Sequence, residues 1–167
     1  MTTIKNYLSL VKFSHTIFAM PFALIGFFLA TKFWMNFSED SVNGYSFWYF
    51  RNWQSQDINY LLRIFILVIL CMVFARSAAM AFNRYLDRHF DAKNPRTAIR
   101  EIPKGIITPK NALTFTIINC VLFIITTYFI NMLCFALSPV ALAVVLGYSY
   151  TKRFTPLCHL ILGLGLA

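Results

Sequence analysis

Residues 60–91 read YLLRIFILVILCMVFARSAAMAFNRYLDRHFD, an apolar run that ends in a charged segment. The part from Tyr60 to Phe82 is almost entirely apolar and exceeds the roughly 20 residues that a helix needs to cross a hydrocarbon layer of about 30 Å. The residues that break a helix, Asn94 and Pro95, come only after the charged segment, so we expect one helix to continue through Asn83–Asp91. This stretch therefore predicts a transmembrane helix that carries a charged end.

Further apolar runs lie on both sides of this one, and the chain is 59% hydrophobic with a mean hydropathy of +0.64. One soluble domain could not bury that much apolar surface. We therefore predict an all-α fold, a polytopic transmembrane helical bundle of about four complete spans plus the start of a fifth. Residues 1–167 are expected to form a single transmembrane domain, and the predicted spans are 13–31, 60–82, 112–130, 134–150 and 157–167 onward.

The last of these runs, 157–167, would extend only about 16 Å at 1.5 Å per residue, which is half a bilayer. We therefore expect the domain to be truncated. At the other end, Ile4, Tyr7, Leu8 and Val11 recur at helical spacing. Residues 3–12 are accordingly predicted to form a short amphipathic helix on the membrane surface.

Basic residues are concentrated in one part of the chain. Of the 15 lysines and arginines, eight lie between Arg76 and Lys110, and a loop so basic beside apolar spans is typical of a cytoplasmic face. We therefore expect the N-terminus and the 83–111 segment to be cytoplasmic and the 32–59 loop to lie outside. Because the basic residues adjoin membrane spans, the net charge of +9 does not indicate nucleic-acid binding.

Asn83, Asp87 and Asp91 are spaced four residues apart, so on a helix they form one polar stripe. Two carboxylates on one stripe near lipid repel each other and call for a compensating cation. Mg²⁺ fits, because it takes few protein oxygens and commonly bridges carboxylates to phosphates. The simpler alternative is an ordinary charged helix end, in which the acids pair with basic neighbours on the same helix: Arg84, Arg88 or Lys93.

Arg76 lies two turns before Asn83 on the same stripe, roughly 10 Å deeper in the membrane. An ionisable side chain at that depth normally faces a protein interior and has a partner. We expect it to bind an anion, although snorkelling to the interface is the alternative. Other basic side chains at this face could clamp a diphosphate, namely those of the loop (Lys93, Arg96, Arg100, Lys104) and of the next hairpin (Lys152, Arg153).

The stretch RSAAMAFNRYLDRHFDAKNPRTAIREIPKG, residues 76–105, and YSYTKRFTPL, residues 148–157, resemble the UbiA-type family of membrane aromatic prenyltransferases. The resemblance implies a helical bundle around a central cavity, with two aspartate-rich motifs facing each other across its cytoplasmic mouth. Only the first motif is present here. By the same resemblance, Asp87 and Asp91 are catalytic, a Mg²⁺ cofactor is held by Asn83, Asp87 and Asp91, and the substrates are bound by Arg76, Arg96, Lys152 and Arg153.

The resemblance also implies a function: transfer of a polyprenyl group from a prenyl diphosphate to an aromatic acceptor similar to 4-hydroxybenzoate. The partners would be those two substrates and the lipid bilayer. Such an enzyme would serve ubiquinone or menaquinone biosynthesis in a bacterial inner membrane, and these 167 residues alone are expected to be inactive. A noncatalytic membrane protein, such as a cation-transporter subunit whose acids line a cation path, remains the alternative.

Overall fold

The computed structural model describes residues 3–12, 17, 20, 21, 23–29 and 58–151. Within these residues the regular structure is entirely helical, with no strand, which confirms the all-α prediction for this part of the chain. We label the helices α1 (Thr3–Leu10), α2 (23–29), α3 (Ile58–Lys93), α4 (Pro109–Ile130) and α5 (Met132–Thr151).

Among the described residues three helices, α3, α4 and α5, are long and apolar enough to cross a membrane. They overlap the predicted spans 60–82, 112–130 and 134–150, so these stretches are long apolar helices, and their bounds as spans stay predictions. The predicted span 13–31 falls only in part on described residues, and the run from 157 lies outside them. The total number of spans therefore stays a prediction.

Helix α3 has 36 residues, or about 54 Å at 1.5 Å per residue, far more than a hydrocarbon layer requires. Its apolar part exposes a row of side chains at every fourth position: Ile58, Leu62, Ile66 and Leu70. A stripe of that kind is typical of a surface that faces lipid or a neighbouring apolar helix. The charged residues follow on the same helix, as the sequence predicts.

Helix α4 begins with a cap and contains several buried polar side chains. The Thr108 hydroxyl accepts from the Asn111 backbone N–H at 3.2 Å, and Pro109 occupies the first turn, where its missing N–H costs nothing. Buried polar side chains within the helix donate to backbone carbonyls three or four residues earlier, so they carry no unsatisfied donor into an apolar layer. They are Thr116, Asn119, Thr126 and Thr127.

A single residue, Asn131, joins α4 to α5 in the predicted helical hairpin. Its backbone N–H donates to Thr127 at 3.2 Å, and its side-chain oxygen accepts from the Leu133 N–H at 2.7 Å. Inside α5, Pro139 lacks the N–H that would bond the carbonyl of Phe135. The Ser138 hydroxyl, buried and 2.8 Å away, donates to that carbonyl instead.

The long helices pack on one another, with α3 along α4 and α5 against both, and α1 contacts the charged end of α3. Here a small apolar core joins Ala81 of α3 and Ala112 of α4 to Ile102 and Ile107 of the connecting loop and Leu10 of α1. The segment between α3 and α4, predicted as a loop, is therefore packed down rather than free. The fold of this segment positions the charged groups of the candidate site.

Helix α1 differs from its prediction in the face that it buries. On the predicted apolar face Val11 is buried but Leu8 is 44% exposed, whereas Leu10, which the pattern left off that face, is buried. Tyr7 stacks on Phe115 of α4 with the ring centroids 5.0 Å apart. The spacing of apolar residues in so short a helix does not show whether the apolar face lies toward lipid or toward the protein. In the structure, part of this face packs on α4 and the loop.

Candidate functional site

The polar stripe predicted from the sequence lies on one continuous helix. Asn83 and Asp87 are half-buried and Asp91 is buried. At 1.5 Å per residue, Asn83 and Asp91 are separated by about 12 Å along the axis, which exceeds what two short side chains can span around one ion with bonds of about 2.1 Å. Neighbouring members of the stripe can share an ion. An extended ligand is needed to engage all three.

Asp91 is held by a residue of the loop rather than of its own helix. Nη1 of Arg100 donates to both carboxylate oxygens, at 2.8 and 2.7 Å. The Asp91 side chain is only 9% exposed, whereas that of Arg100 is 31% exposed. The Asp91 carbonyl in turn accepts from the Thr97 hydroxyl at 3.0 Å, so both its side chain and its backbone fix the loop to the end of α3.

A second ion pair lies next to the first. Nη1 of Arg84 approaches Oε2 of Glu101 at 3.2 Å, and the two side chains are 7% and 15% exposed. The Ser9 hydroxyl donates to the other carboxylate oxygen of Glu101, which brings the end of α1 to the same point. Glu101 therefore connects three parts of the chain: α1, α3 and the loop.

In one of the two ion pairs α3 supplies the cation, and in the other it supplies the anion. Helix α3 contributes a cation, Arg84, and an anion two turns later, Asp91, while the loop contributes the adjacent residues Arg100 and Glu101. Arg84 lies within electrostatic range of all three. Because shifting the loop along α3 would bring like charges together, the four charges fix its register.

For Asp91, these contacts correct the simpler interpretation of the charged helix end. It paired the acids with Arg84, Arg88 or Lys93, but the partner of Asp91 is Arg100 and that of Arg84 is Glu101. Arg88 donates to the Tyr85 carbonyl at 2.8 Å and lies 4.4 Å from the centre of its ring. Sequence reasoning missed both pairings. The sequence feature that could have indicated these pairings is Glu101, a single acid next to Arg100 in an otherwise basic loop.

Arg76 is half-buried on α3, and its Nε atom is buried with no hydrogen-bond partner among the described residues. Leaving a buried donor unsatisfied costs about 1–3 kcal/mol, and more for a charged group. A ligand oxygen would remove that cost. The unsatisfied atom is a reason to expect anion binding at Arg76, and that role stays a prediction.

The structure gives less information on the other predicted substrate-binding residues. Arg96 is exposed in the loop, where its backbone N–H donates to the Asn94 side chain at 3.0 Å. Lys152 and Arg153 lie outside the described residues, so their roles stay predictions.

The donor set of the stripe fits Mg²⁺. Asn83, Asp87 and Asp91 offer an amide oxygen and two carboxylates, the hard oxygen ligands that this ion prefers. Among the described residues no group of three histidines, cysteines or acids could hold a metal ion. A site on this stripe must therefore complete its coordination with water or with substrate oxygens, as Mg²⁺ sites commonly do.

The model of the UbiA prenyltransferase family matches residues 19–167. The chain belongs to this family. It also resembles a solved structure, the apo structure of a UbiA homolog from Aeropyrum pernix K1, with a TM-score of 0.69 and 29% sequence identity. That likeness covers 92% of this chain and 46% of the other. Together with the three apolar helices, membership of the family makes this an integral membrane protein.

Curated relatives include 4-hydroxybenzoate octaprenyltransferases of several bacteria. The protein from Vibrio cholerae is 34% identical over 103 residues, which are 62% of this chain and 36% of the relative. The protein from Aliivibrio fischeri strain MJ11 is 35% identical over 101 residues, or 60% and 35% of the two chains. The matched segments thus span about a third of the length of these relatives.

Proposed function

We propose that the protein transfers a polyprenyl group from a prenyl diphosphate to an aromatic acceptor similar to 4-hydroxybenzoate. The observation that carries the proposal is the stripe on α3, which places two carboxylates and an amide in line with a buried arginine nitrogen that has no hydrogen-bond partner among the described residues. Metal ligands and an anion-binding group on one stripe suit a metal-bound diphosphate. Membership of the family and the activity named for the relatives support the same reaction.

In this proposal Asn83, Asp87 and Asp91 would hold Mg²⁺, with an ion shared by neighbouring members of the stripe. When bound, the ion would neutralise the negative charge that develops on the diphosphate as it leaves. Arg76 donates to a phosphate oxygen from within the helix bundle. Arg96, Lys152 and Arg153 are proposed to bind the substrates at the same face, either at the phosphates or at the acceptor.

The bond changes define what these residues must do. The bond between C1 of the prenyl group and the diphosphate oxygen breaks, and its electron pair leaves with the diphosphate. A ring carbon of the acceptor forms a bond to C1 and then loses its proton to the departed diphosphate, which restores aromaticity. The arginines stabilise the leaving group, and the surrounding apolar side chains keep water from the allylic cation.

The setting follows from the same reasoning. Quinone biosynthesis, through ubiquinone or menaquinone, is proposed because prenylated 4-hydroxybenzoate-like acceptors are its intermediates. By the positive-inside rule, the basic loop supports a site on the cytoplasmic side, and the proposed membrane is a bacterial inner membrane. The lipid bilayer is then both the environment of the protein and the source of its long-chain donor.

The direct test uses the full-length protein purified in detergent, with a prenyl diphosphate and radiolabelled 4-hydroxybenzoate. We expect Mg²⁺-dependent appearance of a labelled, lipid-extractable product, and its loss when the metal is chelated. If no acceptor of this class is prenylated, and cation binding proves independent of prenyl diphosphate, the proposal is wrong and the cation-transporter alternative is favoured. Residues 1–167 expressed alone are expected to give no product.

A further inference from the structure

The Arg100–Asp91 pair raises a question about how Asp91 can bind a metal. Its buried carboxylate already has a cation, because Nη1 of Arg100 contacts both oxygens at 2.8 and 2.7 Å. A second cation at the same carboxylate would be repelled by the guanidinium across a partly desolvated space. Arg100 therefore opposes the binding of a metal alone at Asp91.

Arg100 is better placed to leave Asp91 than Arg84 is to leave Glu101. The Arg100 side chain is 31% exposed, compared with 7% for Arg84. Both of its bonds to Asp91 come from a single nitrogen, so Nε and Nη2 lie outside the pair. The next residue, Glu101, is fixed by Arg84 and Ser9, which holds the backbone in place while the Arg100 side chain changes partner.

We propose that Arg100 is a diphosphate-binding residue that neutralises Asp91 until the diphosphate arrives, and that it thereby couples metal binding to diphosphate binding. This inference rests on the proposed function. A diphosphate carries enough negative charge to accept both the metal and the guanidinium, and an arginine suits phosphate oxygens well. Arg100 then leaves the Asp91 carboxylate to the metal and donates to the phosphates.

The coupling has a thermodynamic signature. While Arg100 occupies Asp91, the apparent affinity for a metal alone is reduced by the strength of that competing pair. Diphosphate relieves the competition, and by reciprocity the metal favours diphosphate by the same factor. Removing the Arg100 guanidinium should therefore strengthen the binding of a metal alone and weaken the binding of diphosphate. A general loss of structure would weaken both.

The experiment measures two affinities by isothermal titration calorimetry on the full-length protein in detergent: MnCl₂ alone, and inorganic diphosphate in saturating Mg²⁺. For Arg100→Gln we expect Mn²⁺ alone to bind roughly three- to tenfold more tightly, since the competing ion pair is lost. We expect the Mg²⁺–diphosphate complex to bind at least about tenfold more weakly, since a charged hydrogen-bond donor is lost. Arg100→Lys, which keeps a cation, should give intermediate values for both.

Lys110→Gln is the matched control, because it removes one positive charge from an exposed position at the start of α4 and should shift both affinities less than twofold. The proposal is overturned if Arg100→Gln and Arg100→Lys leave both affinities unchanged, or if both variants weaken the two together. That failure is distinguishable from failure of the proposed function, because the wild-type protein would still transfer prenyl groups in a Mg²⁺-dependent way.

Discussion

Arg84 and Glu101, 17 residues apart in the chain, form an ion pair in which both side chains are nearly buried. The pair joins α3 to the loop, and through the Ser9 hydroxyl it also holds the end of α1. Its position beside Arg100 makes it a structural support of the proposed site. The contribution of the pair to folding can be measured separately from any catalytic role.

Replacing Arg84 with Met should destabilise the protein by about 3 kcal/mol, because Glu101 would remain buried without its counter-charge. The expected observation is a lower midpoint of thermal unfolding in detergent. The exchange Arg84→Glu with Glu101→Arg should recover only part of the loss, since it places a carboxylate near Asp91. Lys93→Met, at an exposed position on the same helix, is the control and should change the midpoint little.

Gly105 adopts φ = 73°, in the left-handed region, and a Cβ there would meet no atom within 4 Å. Gly105→Ala should therefore cost about 1–2 kcal/mol through backbone conformation alone, and Gly105→Asn should cost less. The same change at Gly147, inside α5 and equally open, should instead stabilise by up to about 1 kcal/mol. Thermal unfolding of the two alanine variants tests this difference in sign.

The Ser138 hydroxyl satisfies the Phe135 carbonyl next to Pro139. Ser138→Ala should cost about 1 kcal/mol, because the Phe135 carbonyl loses its donor in a part-buried setting. In a Pro139→Ala background the restored backbone N–H can bond that carbonyl, so the same serine substitution should cost less. Equal costs in both backgrounds, measured by a double-mutant cycle of unfolding midpoints, would show that the hydroxyl does not have this role.

Arg76 should show a conflict between stability and binding. Arg76→Met removes a buried donor for which the described part of the chain provides no hydrogen-bond partner, so we expect the ligand-free protein to become more stable by about 1–3 kcal/mol. The same variant should raise the KM for prenyl diphosphate at least about tenfold, since a charged hydrogen bond is lost. A snorkelling arginine would leave that KM unchanged.

The helices could be predicted from the sequence because their signals are local. The apolar runs that became α3, α4 and α5 are long, and the four-residue spacing of Asn83, Asp87 and Asp91 fits a helix whatever it packs against. The junction at Asn131 and the end of α3 near Lys93 were likewise marked by short-range sequence features.

The partners of the charged residues could not be predicted in this way. Seven basic residues follow Asp91 in the sequence and are candidates for its partner: Lys93, Arg96, Arg100, Lys104, Lys110, Lys152 and Arg153. Their spacing does not indicate which of them pairs with Asp91. The choice of Arg100 depends on how Ile102 and Ile107 pack against α1 and α4. That packing is a tertiary property, and it also decides that Leu10 rather than Leu8 is buried.

The proposal that the stripe on α3 holds the metal required for prenyl transfer can be tested by mutating its acids. Its most direct test is the initial rate of transfer by full-length Asp87→Asn and Asp91→Asn proteins, compared with Asp57→Asn as an acid-to-amide control outside the stripe. We expect both stripe variants to lose at least about a hundredfold in rate, the loss of two to three kcal/mol in transition-state stabilisation that one preorganised charge provides. Unchanged rates in Asp87→Asn and Asp91→Asn would show that the stripe does not hold the metal required for prenyl transfer.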